Sequence, residues 1–163
     1  MTDLKQDRPH MPGYGVSPES EGQLTWDWAR ERLEDSHNYF LGTSRPDGRP
    51  HIMPVWGIWL NGRFLFSTGE SSVKARNLAA SPAAVVTTEN AEEVVIVEGT
   101  AALETDAAAL AEFAAVYNEK YDWEIDTSAG GIWAVAPRVA FAFIEAADDF
   151  TETATRWRFP DSA

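Results

Sequence analysis

The chain contains no cysteine, which removes disulfides, thiolate metal sites and thiol nucleophiles from consideration together. Histidine is scarce as well. His10, His37 and His51 are the three present, far apart and without spaced acidic partners, a poor basis for a metal site. No apolar run approaches the roughly 20 residues of a membrane-spanning helix, and the start MTDLKQDRPHMPGYG lacks the apolar core of a secretory signal. A cytoplasmic protein, with neither a membrane nor a nucleic acid as partner, is the expectation. Positive charge is also short: 13 Lys and Arg against 26 Asp and Glu leave a net charge of −13. A field of that sign repels a long polyanion.

What the chain does have is aromatic mass, with seven Trp, eight Phe and four Tyr in 163 residues. That suits a β-rich core, a flat-ring ligand site or a dimer interface in a single domain. Residues 1–22, broken by Pro9, Pro12, Gly13, Gly15, Pro18 and Gly22, read as an extended arm before a domain over 23–163. Helical spacing of Leu24, Trp28, Ala29 and Leu33, with Thr25 as N-cap, predicts a helix to Asp35. Leu110, Phe113, Ala114, Tyr117 and Tyr121 predict a clearer one over 106–121. Strands are expected over 37–44, 49–60, 63–67, 83–88, 94–103, 132–135, 139–145 and 153–159, with an interruption at Pro137 and a bulge at Gly99. Antiparallel strands with a few outer helices make an α+β protein, mainly β, built as a small closed barrel.

One stretch, Arg49 to Asn77, concentrates the functional signals. Asn61-Gly62 is hairpin chemistry, because both central positions of a type I′ turn need positive φ. The strand before it contains Pro54 and Gly57, which suggests a bulge where something lies flat against the backbone, or an ordinary edge-strand bulge. After it, Ser72 is placed to cap a helix carrying Lys74, Arg76 and Asn77. A helix start with unsatisfied N–H groups and two cations in its first turns can receive a phosphate. From Arg45 to Arg76 there are five basic residues (Arg45, Arg49, Arg63, Lys74, Arg76) against Asp47 and Glu70, so this window is at +3 and the rest at −16. A small anionic ligand fits such an island; so does a solvated hairpin surface.

Several segments in order extend this reading: Arg45-Pro46-Asp47-Gly48-Arg49-Pro50-His51, Pro54-Val55-Trp56-Gly57, Phe66-Ser67-Thr68-Gly69, Ser72 to Leu78, Val97-Glu98-Gly99-Thr100-Ala101 and Ala154 to Phe159. Together they resemble the split-barrel flavin and deazaflavin oxidoreductases, the superfamily of pyridoxamine 5′-phosphate oxidase, and most nearly its B-type, deazaflavin-using branch. The resemblance implies a six-stranded antiparallel Greek-key split barrel with peripheral helices, and a homodimer with cofactor clefts at the subunit interface. It implies that Met53, Pro54, Val55 and Trp56 face the tricyclic ring and that Ser67 and Thr68 lie beside the ribityl chain. The phosphate would fall to Ser72, Lys74, Arg76 and Asn77, with Arg156, Trp157 and Arg158 as further candidates for the cleft. The implied activity is hydride transfer between the deazaflavin F-420 and a small organic substrate. FMN, a pyridoxamine 5′-phosphate oxidase-like enzyme, and a non-catalytic barrel binding a flavin, tetrapyrrole or fatty acyl group are the alternatives. Val73 separates Ser72 from Lys74 where the oxidase branch has adjacent Arg-Lys, which favours the deazaflavin; Arg49, Arg63 and Arg156 could extend a cationic track for its acidic tail. Tyr39, Tyr117, Tyr121 and His51 are candidate proton donors, and no catalytic residue is assigned.

Overall fold

A computed structural model of the chain describes residues 3–161. The elements run β1 (Lys5–Asp7), α1 (Trp26–Asp35), β2 (Tyr39–Ser44), β3 (Pro50–Val55), β4 (Gly57–Leu60), β5 (Arg63–Ser67), α2 (Val73–Ala80), β6 (Ala83–Thr88), β7 (Glu93–Leu103), α3 (Ala107–Tyr121), a 3-10 turn (Thr127–Ala129), β8 (Ile132–Ile144), α4 (Ala147–Thr153) and β9 (Thr155–Arg158). The caps are those the side chains dictate. Thr25, Ser72 and Asp106 each accept a hydrogen bond from the backbone N–H three residues on, satisfying a donor that the first helical turn leaves open.

All pairings are antiparallel, and neighbours follow the path β3-β2-β6-β7-β8-β5-β4. The two ends of that path are consecutive in sequence and are joined by Trp56 alone, with no ladder between them. This is the split of the barrel. Counting β3 and β4 as one strand broken at Trp56 gives the expected six-stranded barrel; β9 and then β1 extend it from the second half of β8. The expected single strand over 49–60 is therefore corrected: the chain changes partner at Trp56, from β2 to β5. The side chain that Gly57 lacks leaves room for the chain's own Phe64 ring and the Leu65 carbonyl, not for a ligand.

Two other boundaries differ from expectation. Pro137 does not interrupt β8, because it falls opposite Gly99 beside a bulge in which Arg138 of β8 is the extra residue, where a missing N–H removes no regular ladder bond. The last strand begins at Thr155, after a short helix, α4, that the sequence reading did not foresee. The stretch read as an arm is fastened: Lys5–Asp7 pairs with β9, and the Arg8 guanidinium donates to the carbonyls of Glu19, Glu21, Glu152 and Ala154. The Asn61-Gly62 turn has φ of 52° and 75°, as its residue types require.

Tyr39, Leu41, Phe64, Phe66, Val86, Val97, Val135 and Trp157 fill the barrel, with Ala29 and Leu33 of α1 packed against them. On the outside of β4, β5 and β8, α3 lays Phe113, Tyr117 and Tyr121 over Ile58, Leu65, Ile132 and Ala134. No helix among the described residues is long and apolar enough to cross a membrane.

Candidate functional site

The residues singled out from sequence fall around the free edge of β3 and the start of α2. Thr43 on β2 is the cross-strand partner of His51 on β3, so both side chains leave the sheet on one face. On that face the buried Asn77 amide of α2 donates to Thr43 Oγ1 at 2.9 Å. This bond fixes α2 against the β2–β3 hairpin. Lys74 lies one turn before Asn77 and is carried to the same edge as His51, while Arg45 begins the β2–β3 turn, its N–H bonded to the Arg49 carbonyl at 2.9 Å. Ser72 Oγ, besides capping α2, lies 2.9 Å from Thr68 Oγ1, and Thr68 N–H donates to the Gly131 carbonyl at 2.9 Å. Thr68 and Ser72 thus form a polar rim at the start of α2, after Ser67 at the end of β5; Lys74 follows in the first turn, Asn77 is buried on Thr43, and Arg76 is exposed.

Among the described residues, neither Arg45, Lys74 nor Arg76 makes an ion pair. The other cations of the basic window are engaged. Arg49 pairs with Asp47 at 2.8 Å, and Arg63 pairs with Glu104 at 2.7 Å at the opposite end of β5. Arg63 therefore does not extend a track from the α2 start, a correction to the charge count. Arg156 and Arg158 both hold Asp7 of β1, and Trp157 is fully buried with its indole N–H on Gln6.

The imidazole of His51 is the odd group here. The ring is partly covered, and its Nδ1, shut off from solvent, has no hydrogen-bond partner. Burial, and then the charges of Arg45 and Lys74, push its pKa below the usual histidine value. An unpartnered imidazole nitrogen and two cations without ion pairs thus belong to the same neighbourhood. The other proton-donor candidates sit elsewhere: Tyr39 and Tyr117 are buried with raised pKa values, and burial pushes Tyr121 up to about 12.

Met53 and Pro54 are exposed on β3, whose second edge pairs with no strand among the described residues. Pro54 costs nothing at such an edge. Val55 turns its side chain into the core, so it can offer a ring its backbone only. Trp56 stacks on Tyr121 at 4.5 Å and 7°. The peptide after it is pinned: Tyr121 Oη accepts from Gly57 N–H at 2.9 Å, and Lys120 Nζ donates to Gly57 O at 3.2 Å, Tyr39 Oη at 2.8 Å and Glu34 O at 3.1 Å. Sequence spacing gave no sign of the Lys120 and Tyr121 contribution, since it depends on α3 folding back over the barrel seam. A cavity of about 820 Å³ opens beside the edge, lined by Gly42, Ser44, Pro50, His51 and Ile52 on one side and by Val85, Glu98, Arg138 and Val139 on the other.

The family model for pyridoxamine 5′-phosphate oxidase matches residues 26–144. The chain belongs to the pyridoxamine 5′-phosphate oxidase family. Members of this family bind flavins or a deazaflavin, and they include oxidoreductases. Solved structures share the fold. The conserved hypothetical protein Rv2991 of Mycobacterium tuberculosis is 18% identical, with 81% of this chain and 92% of that one covered and a TM-score of 0.68. An F420 reductase is 24% identical, with 76% and 98% covered and a TM-score of 0.55. A heme-binding protein of Mycobacterium smegmatis is 21% identical, with 71% and 53% covered and a TM-score of 0.59. At these identities the likeness is one of fold. A search of the curated proteins found no match.

Proposed function

We propose that the chain is a deazaflavin (F-420)-dependent oxidoreductase that transfers a hydride to a small organic substrate. The observation that carries this reading is the meeting, at the open β3 edge, of an α2 start capped by Ser72, the unpaired Arg45 and Lys74, and the partnerless His51 Nδ1. These groups suit the phosphate of a planar cofactor whose ring lies along the Met53–Trp56 backbone. When bound, a reduced deazaflavin supplies the hydride. The chain's own residues hold the phosphate, orient the ring and exclude water.

A second copy of the chain would complete the site. Ile52 is 62% exposed, Phe40 and Val85 each 38%, and with Ala83 and Val139 they form one outer face that continues into the large cavity. An exposed apolar surface of this kind suits an interface between copies, with the cofactor between them. FMN is the second reading, favoured by the same phosphate rim, which contacts nothing that distinguishes the two tails.

The test is a side-by-side fluorescence titration with F-420 and FMN, followed by turnover of a panel of enones and quinones with the reduced cofactor. Micromolar binding of F-420 tighter than FMN, with consumption of reduced F-420, is expected. Binding of neither cofactor would refute the proposal, and sedimentation as a monomer at micromolar concentration would refute the shared site.

A further inference from the structure

Resting on the anion site just described, we infer that His51 is its protonatable member: an incoming phosphoryl group converts Nδ1 from a partnerless acceptor into a charged donor, so that binding takes up a proton. The placement is fixed by the sheet. His51 faces Thr43 across the β2–β3 ladder, Thr43 receives Asn77 of α2, and Lys74 is one turn nearer the start of that helix. The imidazole, the ammonium and the Arg45 guanidinium thus come from a strand, a helix and a turn, with both cations near enough for their charges to act on the ring.

A buried acceptor without a donor is unfavourable by about 1–3 kcal/mol, and native proteins keep few. Neither nearby cation relieves it, although both act on the ring. The groups that face it explain why. On β2 and its turn stand Thr43 and Arg45, with Asp47 turned away onto Arg49. On α2 stand Ser72, Lys74, Arg76 and Asn77. Glu98 of β7 is in register with Val85, Gly42 and Ile52 and so leaves the sheet on the face away from Thr43 and His51, where Arg138 of β8 also lines the cavity. No carboxylate contacts the imidazole, so in the free chain protonation would add a third positive charge to two. An anion reverses that balance. With a phosphoryl oxygen between the three groups, the imidazolium is stabilised by a charge-assisted hydrogen bond. The proton comes from solvent and ends on His51 Nδ1; no bond other than N–H forms.

Sulfate is the probe, because it stays a dianion throughout neutral pH and any proton taken up belongs to the protein. The His51 ring is followed by NMR across pH 5–9 with and without saturating sulfate, and the proton count is measured calorimetrically in two buffers of different ionisation enthalpy. The expected result is a rise of about one unit in the His51 titration midpoint, uptake of up to about half a proton near pH 7, and sulfate affinity about fivefold higher at pH 6 than at pH 8. His51→Gln should bind sulfate with a flat pH profile and no uptake. If F-420 or FMN binds but the His51 titration and proton count do not move, this inference fails while the proposed function stands. If sulfate shifts His51 but neither cofactor binds, the function fails and the anion site stands. An unshifted His51 with no binding of any kind overturns both.

Discussion

Gly57→Ala offers the sharpest test of how the barrel is closed. A Cβ on residue 57 would lie 2.2 Å from Phe64 Cζ, 2.6 Å from Phe64 Cε2 and 2.8 Å from the Leu65 carbonyl oxygen. Ordinary contact begins near 3.4 Å, so the ring has to retreat by about 1 Å. It has nowhere to go. Phe64 is fully buried, with Tyr39 at 4.7 Å and Phe66 at 6.0 Å between ring centres. Overpacking of a rigid core is unfavourable by about 1–3 kcal/mol, and the backbone oxygen that also obstructs places this substitution at the upper end, about 3 kcal/mol. For a domain of this size that lowers the melting temperature by about 6–12 °C. Urea unfolding of the wild type and the variant reads the change directly as a shift in midpoint at constant slope. A variant within about 0.5 kcal/mol of the wild type would show that the strand break at Trp56 has slack, and that Phe64 is not what requires glycine at 57.

The Lys74→Ala, Arg76→Ala double variant should bind F-420 or FMN at least about tenfold more weakly at low salt, the deficit shrinking as salt rises and screens the lost charges; equal affinity in a fluorescence titration would place the phosphate elsewhere. Gly131→Ala introduces a Cβ 2.2 Å from the Thr68 carbonyl at a φ of 77°, and should destabilise by about 2 kcal/mol or more in urea unfolding. Burial holds Lys120 at a pKa of about 8, opposed by the charges of Asp35 and Glu89. The unfolded chain therefore holds more protons between pH 8 and about 10.5, and stability rises with pH across that window. After discounting for solvent the gain is about 1–2 kcal/mol, measured as the wild-type slope that Lys120→Met lacks between pH 7.5 and 9.5.

Much of this architecture was legible because single residues carried the signal. Asn61-Gly62 specified its turn, Thr25 and Ser72 their helix starts, and Gly99 the place of a bulge in the β7–β8 ladder, each through a conformational or hydrogen-bonding property of that residue type. The failures share a cause in tertiary structure. Pro137 looked like a strand break, and is tolerated because β8 is irregular opposite Gly99 and changes its second partner from β5 to β9 nearby. The α4 helix has no side-chain N-cap bond to announce it. At the site, the α2 cations were readable as a cluster. That Arg63 was committed to Glu104, and that Lys120 and Tyr121 would reach Gly57, depended on contacts across 41, 63 and 64 residues of sequence, which no local pattern encodes.

The way the barrel is closed has one more consequence. Elsewhere around the ring, neighbouring strands are held by several ladder bonds, and parting them means losing those bonds together. Between β3 and β4 the tie is a main-chain link through Trp56, which can swivel by torsion alone. The aromatic stack and the two side chains gripping Gly57 act there as a brace on an otherwise loose joint. The same joint sets the angle between β3 and β4, so the stiffness that α3 supplies limits how far the open seam can part.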